Sequence, residues 1–249
     1  MCPAPVNEES AAKAPSCAPA GSAQGLSPVV VFVPGLGLDV RAWRLVRQAL
    51  AQPSFVVLLP SMGQPAPRGT DLCVERQATR LLQRLPKGSA TILVGHSASC
   101  PVVVDAARRT SQVVGLVLVG PVTDPAAHTW PRMLSQWART ASHERPSQVR
   151  TLVPQYRHTG PVSMLRGMDA TRHFRTDVAL RALALPVEIV RGDKDRIASL
   201  PWSSALRRVS NGRLTNIHDA AHMVPLTHPE AVAAAVNRIR PADQEATLL

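Results

Sequence analysis

The sequence predicts an α/β domain in which a mostly parallel, doubly wound sheet carries helices on both faces and one helical insertion. Three observations predict it. Short Val- and Ile-rich runs, apolar at consecutive positions, alternate with segments of helical apolar spacing, as strands covered on both faces require. One gap, the 65 residues between Gly120 and Pro186, carries no strand signal. At 249 residues, 45% hydrophobic and 18% charged, the chain can bury a large single core.

The elements follow in order. Residues 1–27 form a Pro/Ala/Ser-rich tract without hydrophobic period, expected to be a disordered tail. The domain runs from 28 to 240, and 241–249 is a C-terminal tail. Strands are predicted at 28–34, 55–60, 90–95, 113–120, 186–192 and 213–218. Helices are predicted at 41–51, 71–85, 101–109 and 229–239, with Asp71 as a cap and Pro86-Lys87-Gly88 as a stop. In the insertion, 121–185, Trp130, Met133, Leu134 and Trp137 fall on one helical face, and Val149, Leu152, Val153 and Tyr156 on another. Pro154 is expected to kink or interrupt the second helix, and Gly160-Pro161 to separate it from a third reaching about Phe174. These stripes are read first as packing, with Trp130, Met133, Trp137, Met164 and Met168 as candidates to line a substrate pocket.

Charge and cysteine content narrow the function classes. The 28 Lys+Arg against 17 Asp+Glu give +11, and nearly all the excess is arginine. No zinc-finger, RNA-recognition or helix-turn-helix pattern accompanies it, so no nucleic-acid partner is expected. An arginine-rich solvated surface accounts for the charge, and it leaves room for an anionic substrate or an acidic carrier protein. No apolar stretch is long enough to span a membrane. Cys2, Cys17, Cys73 and Cys100 are too scattered for a disulfide scaffold or zinc site. Without a signal-peptide pattern the default compartment is cytoplasmic. Oligomeric state is not legible.

Chemistry concentrates in three places. The run ATILVGHSASCPVVV takes a buried strand through Gly95-His96-Ser97-Ala98-Ser99 into a helix with Pro101 in its first turn. A serine at such a turn has its hydroxyl pushed out at the carboxyl edge of the sheet, and small residues are needed on either side where strand and helix cross. Gly95 meets that need, and Ser99 stands where a second glycine is usual. A serine nucleophile needs a base, and His222 lies in a loop after the last strand. The base needs an orienting carboxylate. Asp193 and Asp195 both follow the strand ending near Gly192, and Asp124 is a third, outlying candidate. His218 and His222 share the i, i+4 spacing of a zinc pair, but they follow a strand and lack the glutamate of a metalloprotease helix.

Four segments, VVVFVPGLGLDVRAW, LVGHSAS, VRGDKDRI and HDAAHMVPLTHPEAV, together resemble the α/β-hydrolase fold family, in particular small bacterial serine hydrolases with a helical cap. The resemblance implies Ser97 as nucleophile, Asp195 of the G-x-x-D turn as the acid and His222 as base. It implies an oxyanion hole from the backbone N–H groups of Ala98 and Leu36, with Pro34 where the family often has histidine. The family's first two strands are not visible, which predicts a shortened, six-stranded sheet. No cofactor and no metal is implied. The expected activity is hydrolysis of a small carboxylic ester or lactone. The alternatives are a thioesterase or carbon–carbon bond hydrolase on an anionic or carrier-bound acyl group, and a ligand-binding protein with little catalysis.

Overall fold

The computed structural model describes residues 27–239; the two tail assignments, apart from residue 27, lie outside the described residues. The chain begins with β1 (Val29–Val33), then a 3-10 turn (Val40–Trp43) continuing as α1 (Arg44–Gln48). The short strands β2 (Ser54–Val56), β3 (Leu59–Pro60) and β4 (Gly63–Gln64) precede α2 (Val74–Leu82). Next come β5 (Thr91–His96), α3 (Cys100–Ala107) and β6 (Val113–Val119). The insertion holds α4 (Trp130–Ala141), α5 (Val149–Thr159), α6 (Pro161–Thr171) and α7 (Thr176–Arg181). The chain then returns through β7 (Val187–Gly192), α8 (Leu200–Ser210), β8 (Arg213–Ile217), α9 (Val224–Thr227) and α10 (Pro229–Arg238).

The main sheet has six strands in the order β2-β1-β5-β6-β7-β8, every neighbouring pair parallel. Its central strands β1, β5 and β6 are largely apolar and buried because each serves two cores, whereas the edge strand β8 (RLTNI) is partly exposed. Val31, Val33, Leu93, Leu116, Leu118 and Ile189 face α2, α3, α7 and α8 through Leu81, Val103, Leu180 and Trp202. The alternating residues Val30, Phe32, Ile92, Val94, Val117, Val119 and Val190 face Trp43, Val46, Val232 and Val236. Period-two alternation therefore runs between two buried layers, not between core and water.

Three local expectations need correction. The run 55–60 is not one strand: β2 ends at Val56, and Leu59-Pro60 pairs in parallel with Gly63-Gln64 in a separate two-stranded ladder, strands too short for periodicity to reveal. Asp71 is not the cap of α2. Cys73 occupies that position, and Asp71, two residues earlier, accepts from the Cys73 N–H through Oδ1 at 3.0 Å. Pro154 does not interrupt α5, which continues across it to Thr159 and stops at Gly160, φ 84°. Proline in the second turn forfeits one backbone bond, and packing of the half-buried Leu152 and Tyr156 beside buried Gln155 outweighs that loss. Among the described residues no helix is long and apolar enough to cross a membrane.

Candidate active site

Parallel strands place their carboxyl ends along one edge of the sheet, and every predicted reactive side chain follows such an end. Ser97 follows β5 directly with φ 57°, a left-handed conformation that costs a non-glycine residue on the order of 1–3 kcal/mol. The turn is held by close packing and by its own hydrogen bonds. A Cβ on Gly95 would come within 2.8 Å of Val103 Cγ2 and 3.1 Å of the Cys100 backbone. Ser99, fully buried, accepts from the His96 N–H at 2.8 Å and donates to the Val33 carbonyl at 2.7 Å. The serine standing in for glycine thus ties the turn to the end of β1.

Ser97, His222 and Asp195 lie in one hydrogen-bonded line. His222 Nε2 is 2.9 Å from Ser97 Oγ, and His222 Nδ1 is 2.7 Å from Asp195 Oδ2. Nδ1 must donate to the carboxylate, which leaves Nε2 to accept the serine proton. The other oxygen, Asp195 Oδ1, accepts from the N–H groups of Ile197 and Ala198 at 2.8 and 3.0 Å. Burial works against the Asp195 charge, yet His222 and these N–H donors overcome it and hold its pKa below the ordinary value. Burial likewise works against protonated His222, while the Asp195 and Glu144 carboxylates outweigh it and raise its pKa.

The supporting groups are equally specific. The His96 ring is buried between Trp43 and His222, with centroids 6.2 and 4.9 Å away. Its Nε2 is 3.1 Å from the His222 carbonyl, so Nε2 carries the proton and donates. Burial, aided by the neighbouring His222, pushes its pKa down to about 3, so it stays neutral. Gly120, at the end of β6, has φ +56° and lies under the His222 ring: a Cβ there would be 3.0 Å from His222 Cε1 and Nδ1.

The loop carrying Leu36 presses on the serine turn, since a Cβ on Gly35 would stand 3.2 Å from Ser97 Cβ. The flanking N–H groups are used within the fold, Gly37 to Ser61 O and Leu38 to Gly35 O. Ala98 lies in the first turn after the strand, where N–H groups have no intrahelical acceptor. Helices α5 and α6 cover this loop: a Cβ on Gly37 would meet Tyr156 Cδ1 at 2.6 Å and Met164 Sδ at 2.7 Å. Met164 is thereby brought to the site's edge, and half-buried Met168 follows Gly167, whose Cα faces Leu36 Cδ2. Trp130 instead lies under the Arg172 guanidinium, 5.6 Å from its ring centre. Met133 is half-buried, and Trp137 is 57% exposed. None of these three shares a hydrogen bond or ring contact with the Ser97 line.

The alternative acids are occupied elsewhere. Asp193 Oδ2 is 2.9 Å from His218 Nδ1, and Asp124 accepts from the Ala126 N–H at 2.9 Å. Among the described residues no His, Cys, Asp and Glu group could hold a metal. Sequence reasoning missed Gly120 and Glu144. The glycine closing the run VVGLVLVG was a usable signal, whereas a lone glutamate after α4 carried none.

A curated relative from Methylococcus capsulatus, described as a pimeloyl-[acyl-carrier protein] methyl ester esterase, is 26% identical over 86% of this chain and 94% of its own. A lipase-esterase related protein from Clostridium acetobutylicum superposes with a TM-score of 0.71 at 13% identity, over 85% of this chain and 94% of that one. MenH from S. aureus does so at 0.69 and 16%, over 84% and 92%. At such identities the solved structures show a shared fold. The alpha/beta hydrolase family model matches residues 30–235, nearly the whole described fold, and the chain is a member of that family of hydrolases.

Proposed function

We propose that this protein is a serine hydrolase of carboxylic esters or lactones, acting through an acyl-enzyme on Ser97. The observation that carries the reading is the continuous line from Ser97 Oγ through His222 to Asp195 at 2.9 and 2.7 Å, with Ser97 held at φ 57°. Ser97 Oγ attacks the acyl carbon as its proton passes to His222 Nε2. Asp195 fixes the tautomer and stabilises the imidazolium. The N–H groups of Leu36 and Ala98 receive the oxyanion, each supplying a factor of about 10²–10³. Collapse expels the alcohol, which takes the proton from His222. Water then attacks the acyl carbon, gives its proton to His222 and releases the acid as that proton returns to Ser97. No residue in this scheme calls for a cofactor.

Two observations favour a carrier-bound ester over a free one. The curated relative is described by a carrier-bound methyl ester. The insertion also exposes Arg139, Arg145, Arg150 and Arg157, whose side chains make no ion pair or hydrogen bond among the described residues, a charge suited to an acidic carrier. Intact mass after a fluorophosphonate tests the core reading. One adduct on wild type and none on Ser97→Ala is expected; binding of esters without turnover or adduct would identify a ligand-binding protein instead.

A further inference from the structure

We propose that Glu144 is a positioning residue for the base, its carboxylate holding the His222 loop against the helical insertion. The proposal rests on the serine-hydrolase reading above. One oxygen of this carboxylate, Oε1, accepts from two consecutive N–H groups, His222 at 2.7 Å and Met223 at 2.9 Å. Glu144 lies 78 residues away along the chain from His222, just beyond α4.

With Glu144 in place, three separate elements hold His222. The insertion takes its N–H, His96 at the end of β5 takes its carbonyl at 3.1 Å, and Asp195 beyond β7 takes its imidazole. The same stretch of insertion also holds the acid loop, because Thr140 Oγ1 accepts from the Arg196 N–H at 3.0 Å. One turn and the residues after it therefore brace both loops that carry the proton relay. Two bonds to a charged acceptor are each worth more than neutral ones, and a sub-ångström loss of alignment at a base is costly to rate.

The charge acts along with the bonds. The titratable groups facing His222 are Asp195, neutral His96 and Glu144, and Tyr156 of α5 faces Glu144, which adds to burial in pushing that phenol up to about 12. His143 and Arg145 flank Glu144 in sequence. Glu144 is thus the second carboxylate, after Asp195, that favours the imidazolium.

The variants Glu144→Gln and Glu144→Ala separate bonds from charge, since glutamine keeps an acceptor oxygen and alanine keeps neither. The readouts are kcat and KM for a p-nitrophenyl ester from pH 5 to 9, with fluorophosphonate labelling and thermal melts alongside. Glu144→Gln is expected to keep its plateau within about threefold while its acid limb moves to lower pH. Glu144→Ala is expected to lose about tenfold or more in kcat with little change in KM. An unmoved acid limb in Glu144→Gln, or a wild-type plateau in Glu144→Ala, overturns the proposal. If the alanine variant does not fold, the glutamine pH profile alone decides. Absence of an adduct on wild-type Ser97 would sink the hydrolase reading and this one with it; a wild-type adduct with unchanged variants sinks this one only.

Discussion

The Ser99 hydroxyl donates to the Val33 carbonyl at 2.7 Å, joining the strand that ends in the serine turn to the strand that leads into the Leu36 loop. The same oxygen accepts from the His96 N–H at 2.8 Å. Alanine at this position removes the hydroxyl and both of its bonds to buried backbone groups. Each such bond contributes on the order of 1 kcal/mol, partly recovered by local shifts. Ser99→Ala is therefore expected to melt several degrees lower and to lose kcat with KM nearly intact. Differential scanning calorimetry beside ester kinetics checks it, and an unchanged melting temperature would show that the hydroxyl is not needed there.

Gly120 makes a second expectation, for geometry and not stability alone. Its φ of +56° disfavours any side chain, and a Cβ would stand 3.0 Å from two atoms of the His222 ring and 3.5 Å from Asp195 Oδ2. Gly120→Ala must push the imidazole off its line to Ser97. Displacement near 1 Å can cost about 10²-fold in rate. Slow fluorophosphonate labelling by a folded variant is the expected result; labelling at the wild-type rate would mean that the ring has room to spare.

The pH dependence follows from His222. In the proposed mechanism attack by Ser97 requires the neutral imidazole, and the pKa of His222 is raised above its ordinary 6.5. Labelling and kcat/KM should therefore rise with pH through a single-proton midpoint above 6.5. The raised value also stabilises the fold: that contribution is full below 6.5 and is lost as pH climbs through the folded value. Asp195 is opposite in sign, its lowered pKa contributing stability above 3.8 that disappears as pH falls through the folded value. Asp195→Asn should move the acid limb down and reduce the plateau by roughly 10³–10⁴. A limb that stays in place would disconnect Asp195 from the titrating group.

The sheet was legible because its central strands β1, β5 and β6 are short, β-branched runs apolar on two faces, a pattern that half-solvated strands do not share. The tight turn at Ser97 was legible from the small residues around it, since the strand and helix pass close together at Gly95. Asp195 was not distinguishable from Asp193 by residue type. What separates them is which way each side chain leaves the turn, inward to His222 or outward to exposed His218. Glu144 was silent for a related reason: its partners are backbone N–H groups, which leave no mark on residue identity. The ladder of β3 and β4 was silent because two residues per strand give no period to detect.

The insertion's charge leads to the last expectation. Of its arginines, Arg166 is spent on the carbonyls of Ala66, Pro67 and Thr70, while Arg172 and Arg175 are paired with Asp169 and Asp177. Arg139, Arg145, Arg150 and Arg157 remain exposed, so reversal of any of them disturbs no internal bond among the described residues. If an acidic carrier docks there, Arg139→Glu with Arg150→Glu should raise KM for a carrier-bound methyl ester about tenfold or more. A small neutral ester should be turned over as before. Salt should weaken the carrier reaction in wild type and weaken it less in the double variant, because exposed charges are screened within about 10 Å at 0.1 M. Equal effects on both esters would place the loss at the reacting centre, and no effect on either would make these arginines a solvated surface.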